Sequence, residues 1–364
     1  MSKIKVALAG VGNIAAFFVQ VIMLSKQGKK LENPIFEHEL CGYRPSDIEF
    51  VAAFDVSREK VGRDLAEAIF AKPNLVPRFC EITKLGVSVS PGPVLDGVAE
   101  HMKESFDPID EEVEIEDVVE ILESSGAEIL INLLPVGSQK ATEFYAAAAL
   151  RAGVAFVNCI PVFIASDPTG KWPRAFRDAS LPLLGDDIKG QIGATILHRA
   201  IVSLLFSRGV KVEESYQLNV GGNTDFLNMT VESRLASKRK SKTEAVTSLL
   251  PYGKELEKEG KIRIGPSDYV PFLGNTKICY IYLKGASFCG FPVTIDLKLS
   301  VDDKSMASAV LLEAVRVAKI ALDRGIGGSL ISPAAFLFKH PPVQLEDDEA
   351  RRAFLDFVEG KREC

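Results

Sequence analysis

The sequence predicts an α/β protein: a Rossmann-type doubly wound parallel sheet with an inserted α+β domain. Three observations carry that expectation. The chain opens as buried strand, glycine turn and helix. Apolar strand-like runs then alternate with helix-like runs as far as residue 184, the pattern of a parallel sheet with helices on its faces. After residue 250 the pattern changes to β-branched and aromatic segments with alternation, which predicts an antiparallel sheet.

The elements follow in order. Residues 4–9 (IKVALA) read as a buried strand, and Gly10-Val11-Gly12-Asn13-Ile14-Ala15 with the apolar run 16–24 as a turn and helix. This is the G-x-G-x-x-A form of the dinucleotide fingerprint: Gly10 permits the tight turn, Gly12 lets a pyrophosphate reach the backbone, and Ala15 lets the helix pack close to the strand. Residues 50–55 supply the next strand, ending in Asp55, the acid expected on the ribose hydroxyls. An acid there favours NAD over NADP, because it repels a 2′-phosphate. Asp55 comes late for this role, so 27–47 reads as an insertion.

A helix is expected over 57–70, an irregular excursion over 72–116 and a short helix over 118–125. Strand 127–134, an Ala-rich helix over 138–152, strand 154–158 and the run 181–184 complete the alternation. Ligands bind at the carboxyl ends of such strands, so the residues after Leu134, Val157 and Leu184 should line a crevice. Beyond it, 192–207 reads as a helix, 262–264, 277–283 and 291–301 as strands, and 308–323 as an amphipathic helix returning to the first domain. Lys339 lies between an apolar strand or turn (336–338) and Pro341, and 345–360 closes the chain as a charged helix.

Composition sets the bounds. With 364 residues, 47% hydrophobic and 25% charged, the chain is long enough for two domains and a sizeable core. A net charge of -6 argues against nucleic acid as a main partner but not against a local cationic pocket. The six cysteines lack C-x-x-C pairing and read as free thiols of a reducing cytoplasm. Four histidines without H-E-x-x-H argue against a histidine-built zinc site. The apolar run 14–24 is too short to span a bilayer, and residues 1–12 read as a strand rather than a signal peptide, so no membrane role is expected.

Three clusters exceed what a fold needs: Gly185-Asp186-Asp187-Ile188-Lys189-Gly190-Gln191, the segment from Asn219 to Asn228, and Ser237-Lys238 through Lys242-Thr243-Glu244. Each has a bland reading, respectively a turn before a helix, a loop with left-handed asparagines and a solvated basic face. Ser241-Lys242-Thr243-Glu244 also fits a capping box, which would start a helix there and point its free N–H groups at an anion.

The chain resembles the myo-inositol-1-phosphate synthase family, in the shorter form found in archaea and some bacteria. Residues 185–189 resemble its GDD-x-K motif, 219–228 its N-x-x-G-N-x-D-x-x-N segment, and Ser237-Lys238 to Lys242 its S-K-x-x-S-K pair. Gly274-Asn275-Thr276-Lys277 is similar to its G-D-S-K, Val301-Asp302-Asp303 to its V-E-D, and Phe338-Lys339-His340-Pro341 to its L-K-x-P. Two departures stand out: Gly190 where many members have Ser, and Asn275 for Asp.

The resemblance implies an NAD-dependent isomerisation of D-glucose 6-phosphate to 1L-myo-inositol 1-phosphate, serving inositol and phospholipid biosynthesis. Oxidation at C5 acidifies C6, the enolate closes onto the C1 aldehyde, and the C5 ketone is reduced again. The implied catalytic set is Asp187, Asn219, Asp225, Lys238, Lys242, Lys277, Asp303 and Lys339. The implied cofactor set is Gly10, Gly12, Asn13, Ala15, Asp55 and Asp187. Lys238 and Lys339 are placed near C5, Asp303 orients a lysine, and Lys242 and Lys277 go to the aldehyde oxygen or the phosphate, with a lysine Schiff base as another route. The family further implies a homotetramer built through the second domain's sheet and, in the short form, a divalent cation for which Asp225 or Asp303 are candidates. The expected domains are 1–187 for NAD, 188–305 for catalysis and tetramerisation, and 306–364 as the return to the NAD-binding domain. A net dehydrogenase or a non-catalytic NAD-binding scaffold are the rival readings of the same opening.

Overall fold

The computed structural model describes residues 3–363. Strands β1 (Ile4–Ala9), β2 (Ile48–Asp55), β3 (Val89–Pro91), β4 (Ile129–Asn132), β5 (Ala155–Asn158) and β6 (Pro182–Leu184) form one sheet. Strands β7 (Lys211–Gly221), β8 (Ile262–Tyr269), β9 (Thr276–Ala286) and β10 (Pro292–Asp302) form a second, and β11 (Gly328–Ser329) rejoins the first beside β6. The first sheet runs β11-β6-β5-β4-β1-β2-β3 with every pair parallel. Strand order reverses between β1 and β4, which opens the ligand crevice of a doubly wound sheet at their carboxyl ends.

Burial on both faces explains the near-continuous apolar character of β1, β4 and β5. Helices α1 (Asn13–Lys26), α2 (Ile115–Ser125), α3 (Gln139–Arg151), α4 (Ala194–Ser207), α5 (Glu232–Thr247), α6 (Asp303–Asp323), α7 (Ile331–Leu337) and α8 (Asp347–Val358) complete the frame. Phe18, Val19 and Ile22 of α1 and Leu311, Val315 and Ala318 of α6 cover one face of the first sheet. Val118, Leu122, Tyr145 and Ala149 of α2 and α3 cover the other. Phe18 meets Phe50 edge-on at 5.9 Å, and truncating such a buried ring to Ala costs about 3–5 kcal/mol.

The fold differs from the sequence expectation at several places. The helix expected over 57–70 is one turn, Leu65–Ala68, because Gly62 adopts φ 81 and Asp64 caps the turn from outside. The irregular excursion contains β3, which pairs with β2. In the second sheet β9 pairs antiparallel with β7 and β10, but β8 lies parallel to β7. A parallel pair needs a crossover, and α5 lies in the segment that supplies it. Asn219 sits in strand β7, not in a loop.

Helix α5 begins at Glu232, so 241–244 is mid-helix and the expected capping box does not form. No Gly or Pro stands between Glu232 and Ser241 to stop the helix, and Glu244 points elsewhere. Lys242 therefore gains nothing from a helix N-terminus. Helix α6 starts at Asp303, earlier than expected, because the Asp302 carboxylate accepts from the amides of Lys304 (3.1 Å) and Ser305 (2.8 Å). Of the strand or turn expected over 336–338, Phe336 and Leu337 end a helix that begins at Ile331, and Phe338 is extended and bridges Ile188.

Candidate active site

The first end of the site is made of backbone. Gly10 adopts φ 96, and a Cβ there would sit 3.0 Å from the Leu133 carbonyl oxygen, so the turn requires glycine. A Cβ at Gly12 would meet nothing within 4 Å: the N-terminus of α1 opens onto free space and no side chain caps it. Unpaired N–H groups at such an end attract an anion. Asp55, at the end of β2, turns toward the same turn: Oδ2 accepts from the Val11 amide at 2.8 Å, and Oδ1 from Val56 and Ser57 at 2.9 Å.

Two residues that sequence reasoning missed brace this turn. Lys60, fully buried, donates to the Val11 carbonyl at 2.9 Å and lies 3.7 Å from Asp55. Asn74 donates to the same carbonyl at 3.0 Å, while Asn13 accepts from the Leu75 amide at 2.6 Å. Both reach the turn from distant sequence, and no local motif marks them. Open glycine backbone, a free helix N-terminus and a carboxylate at the next strand end fit a dinucleotide.

The second end is made of side chains. Asp187 sits fully buried in left-handed conformation (φ 62), a strained state for a non-glycine residue that clusters at functional sites. Its Oδ1 accepts from Lys238 at 2.8 Å and Lys339 at 3.0 Å, and its Oδ2 from Ser241 at 2.7 Å. Backbone pairing delivers these partners. The 186–189 stretch runs antiparallel to 337–340, with Asp186 and His340 exchanging both amide bonds at 3.0 Å and Lys339 donating to the Asp187 carbonyl at 2.8 Å. Lys238 and Ser241 lie one turn apart on α5 and face the same carboxylate.

A second ion pair joins Lys277 to Asp303 at 2.7 Å, with Lys304 at 4.0 Å from the other carboxylate oxygen. Lys242 is buried and, among the described residues, has no hydrogen bond or ion pair. Asn219 is fully buried and spends its amide on the Gly265 carbonyl at 2.8 Å.

The charges shape one another. Burial pushes the Asp187 carboxyl up, but the Lys238 and Lys339 ammonium groups outweigh it and hold Asp187 well below the usual carboxylate range. Burial works against the Lys238 charge, yet Asp187 and Asp225 raise it above the ordinary lysine value. Lys339 is pulled down to about 8, by burial first and by Lys238 and Lys277, with Asp187 opposing. Lys242 falls well below the ordinary value through burial and its lysine neighbours. Lys189 is pulled down to about 7 by burial and Arg199, while Asp347 opposes. Asp303 is held low: Lys277 and Lys304 overcome burial. Asp186, facing away from these lysines, is pushed up to about 6 by burial against the hydrogen bonds of Ser166 and Asn158.

One cleft joins both ends. Gly10, Gly12, Asn13, Ala15, Asp55 and Asp187 line it, and so do Asp225, Lys238, Lys277, Asp303 and Lys339. Asn219 and Lys242 do not reach its wall. Lys189 and Lys304 do, and had gone unassigned although Lys189 is the lysine of the GDD-x-K stretch. Among the described residues no group of three His, Cys, Asp or Glu could hold a metal ion. Asp303 faces two ammonium groups, Lys277 at 2.7 Å and Lys304 at 4.0 Å.

Curated relatives fix the lineage. A protein of Corynebacterium glutamicum named inositol-3-phosphate synthase is 46% identical over 361 residues, 98% of each chain. The chain belongs to the myo-inositol-1-phosphate synthase family. An inositol-3-phosphate synthase of Mycobacterium tuberculosis is 45% identical over 99% of this chain and 96% of its own. The family model described as myo-inositol-1-phosphate synthase matches residues 193–304, which include the whole second sheet. The crystal structure of Ari2 superposes with a TM-score of 0.78 over 99% of both chains at 32% identity. An inositol-3-phosphate synthase structure from Caenorhabditis elegans reaches 0.77 over 98% of this chain and 85% of its own, at 16% identity, and shows the shared fold. Of the two departures, Gly190 is tightly placed: a Cβ there would lie 3.1 Å from the Met306 Cβ.

Proposed function

We propose that this cleft isomerises D-glucose 6-phosphate to 1L-myo-inositol 1-phosphate, by internal redox and intramolecular aldol closure, for inositol and phospholipid biosynthesis. The observation that carries the reading is the continuity of the cleft: the glycine turn and the Asp187-centred lysines share one wall. In the proposed division, residues 1–187 with 306–364 hold NAD and 188–305 supply catalysis and subunit contacts. When bound, NAD supplies hydride acceptance and return at C5.

The chain's own groups move the protons. Lys339, held near 8, has the neutral fraction needed to take the O5 proton, and Asp187 beside it stabilises the ammonium that forms. Lys238 stays charged and donates to the C5 oxygen, which draws electrons from C6, so that a C6 proton passes to water and a proton from water later restores the one Lys277 gives up. As C6 bonds to C1, the C1 oxygen gains charge. Lys277, oriented by Asp303, neutralises and protonates it. Lys242 stands behind these groups without an ion-pair partner, its charge disfavoured by burial and by its lysine neighbours, and a phosphate dianion nearby would favour its protonated form. Substrate and product are isomers, so every proton and electron taken is returned.

Two further parts belong to the reading. The outer face of the second sheet exposes Tyr216, Leu218 and Tyr280, and Phe291 at its edge, and such an apolar patch favours burial against another copy in a homotetramer. Cys41, Cys80, Cys159, Cys279 and Cys289 are free, which suits a cytoplasmic enzyme, and no helix among the described residues is long and apolar enough to cross a membrane. The test is incubation with glucose 6-phosphate and substoichiometric NAD. Periodate-released phosphate accumulating beyond the NAD present supports the isomerase. NADH released in proportion to substrate would replace it with a net dehydrogenase.

A further inference from the structure

On the far side of the 186–189 stretch from the lysines, a chain of polar groups runs from the buried sheet to the surface of α5. Asp186 is fully buried and accepts from Asn158 (2.7 Å), the Ala165 amide (3.2 Å), the Ser166 amide (3.0 Å) and the Ser166 hydroxyl (2.7 Å). Ser166 Oγ lies 2.8 Å from His340 Nδ1, and His340 Nε2 lies 2.7 Å from Glu244 Oε2. The imidazole stacks on Phe163 at 4.0 Å, and Lys240 lies 5.1 Å from the same ring and 3.9 Å from Glu244.

The Ser166 hydroxyl donates to the buried Asp186 carboxylate and offers its lone pair to His340 Nδ1. On the other edge of the ring, Nε2 faces the Glu244 carboxylate. His340 is thus held by an oxygen partner at each ring nitrogen, and the chain of contacts runs unbroken from Asp186 to Glu244.

The placement matters because of what the two partners carry. His340 follows Lys339 directly, and Glu244 lies one turn beyond Ser241 on the helix that carries Lys238. Lys238 and Lys339 meet on a single oxygen of Asp187 only if α5 and the 337–340 segment keep their spacing. The N-terminal end of α5 is tied to the first sheet's loops by Arg234, which donates to the carbonyls of Asp96 (2.6 Å) and Gly137 (2.9 Å). Near its other end Arg199 holds the Ala245 carbonyl. The His340–Glu244 pair joins α5 directly to the segment bearing Lys339, beside the longer route through Arg199 and Gln344.

We propose that His340 and Glu244 are positioning residues: a hydrogen-bonded clamp that holds α5 against the 337–340 segment, so that Lys238 and Lys339 converge on Asp187. This rests on the catalytic reading of those lysines. Neither clamp residue lines the cleft, so neither touches the substrate.

The experiment compares full-length Glu244→Gln, His340→Gln and the double variant with Lys238→Met and Lys339→Met. Glu244 is partly exposed, so Glu244→Gln keeps a folded test in hand if His340→Gln does not fold. The clamp predicts that each single variant loses kcat by about tenfold, the scale of one charge-assisted hydrogen bond, with KM for glucose 6-phosphate within about twofold. It also predicts that the double variant is no worse than either single. Unchanged kcat, a loss carried by KM alone, a loss matched by the fall in folded fraction, or additive losses would overturn it. Arg239→Gln, on the same helix but in an exposed pair with Glu232, serves as the control and keeps full kcat. If Lys238→Met and Lys339→Met themselves turn over normally, the catalytic reading fails and the clamp falls with it. If they are inactive while Glu244→Gln is not, the clamp alone fails.

Discussion

The two ends of the cleft are built in opposite ways. The glycine-turn end uses backbone from one short stretch, with Asp55 as its one charged reader. The lysine end uses side chains from four distant places: the 187–189 stretch, α5, the ends of β9 and β10, and the 337–340 segment. A backbone site tolerates the loss of a neighbour, because its donors are fixed by the fold. A charge cluster does not, because each group sets the protonation of the next. Variants at the two ends should therefore fail differently.

The largest effect is expected at Asp187. Asp187→Asn leaves Lys238 and Lys339 without their shared counterion, and removing one partner of a buried pair costs about 3–5 kcal/mol. Denaturant unfolding should show that loss together with inactivity, and a variant as stable as the parent would separate Asp187 from the cluster's stability. Lys238→Met comes next. Product formation should fall at least about 100-fold, the scale of one oxyanion partner, while NAD affinity measured by calorimetry stays unchanged. Retained turnover would leave Lys238 as a structural counterion of Asp187 only. At the other end, Asp55→Ala should narrow the preference for NAD over NADP by roughly 1–3 kcal/mol with the lysine chemistry intact. Equal affinity of the parent for both cofactors would remove Asp55 from that role.

The smallest effect is a proton count. Lys189 near 7 and Lys339 near 8 are wholly or partly neutral at pH 8 in the free protein. A phosphate dianion favours their charged forms, so glucose 6-phosphate binding should take up protons at pH 8, read as a binding enthalpy that varies with buffer ionisation heat. The same shifts act on stability. These lysines hold fewer protons folded than unfolded above about pH 7, so they add stability as pH rises toward 9. Above that the buried Cys159 thiol, pushed up by burial, acts in the opposite sense. Proton release on binding would contradict the lysine assignment.

The same contrast explains what could be read from sequence. Gly10 to Ala15 and Asp55 were legible because strand, turn and helix follow one another in the chain. The parallel sheet was legible for the same reason. The Lys277–Asp303 pair spans 26 residues and meets only because β9 and β10 pair in register to bring Thr276 opposite Asp302. Only the family resemblance marked these residues. The supposed helix start at Ser241 shows the limit of a local motif, since S-x-x-E spacing recurs within a helix whenever no residue stops the turn before it. Lys60 and Asn74 brace the glycine turn across 49 and 63 residues of chain, contacts that no local motif marks.

The central claim is that both ends act on one bound sugar in one closed cycle. Its most direct test is glucose 6-phosphate deuterated at C5, turned over with excess unlabelled NAD and followed by mass spectrometry. Because substrate and product are isomers and the cleft is continuous, the hydrogen leaving C5 must return to C5. The account predicts inositol phosphate that keeps its deuterium. Product that has lost it, with label in the free cofactor pool, would contradict the account.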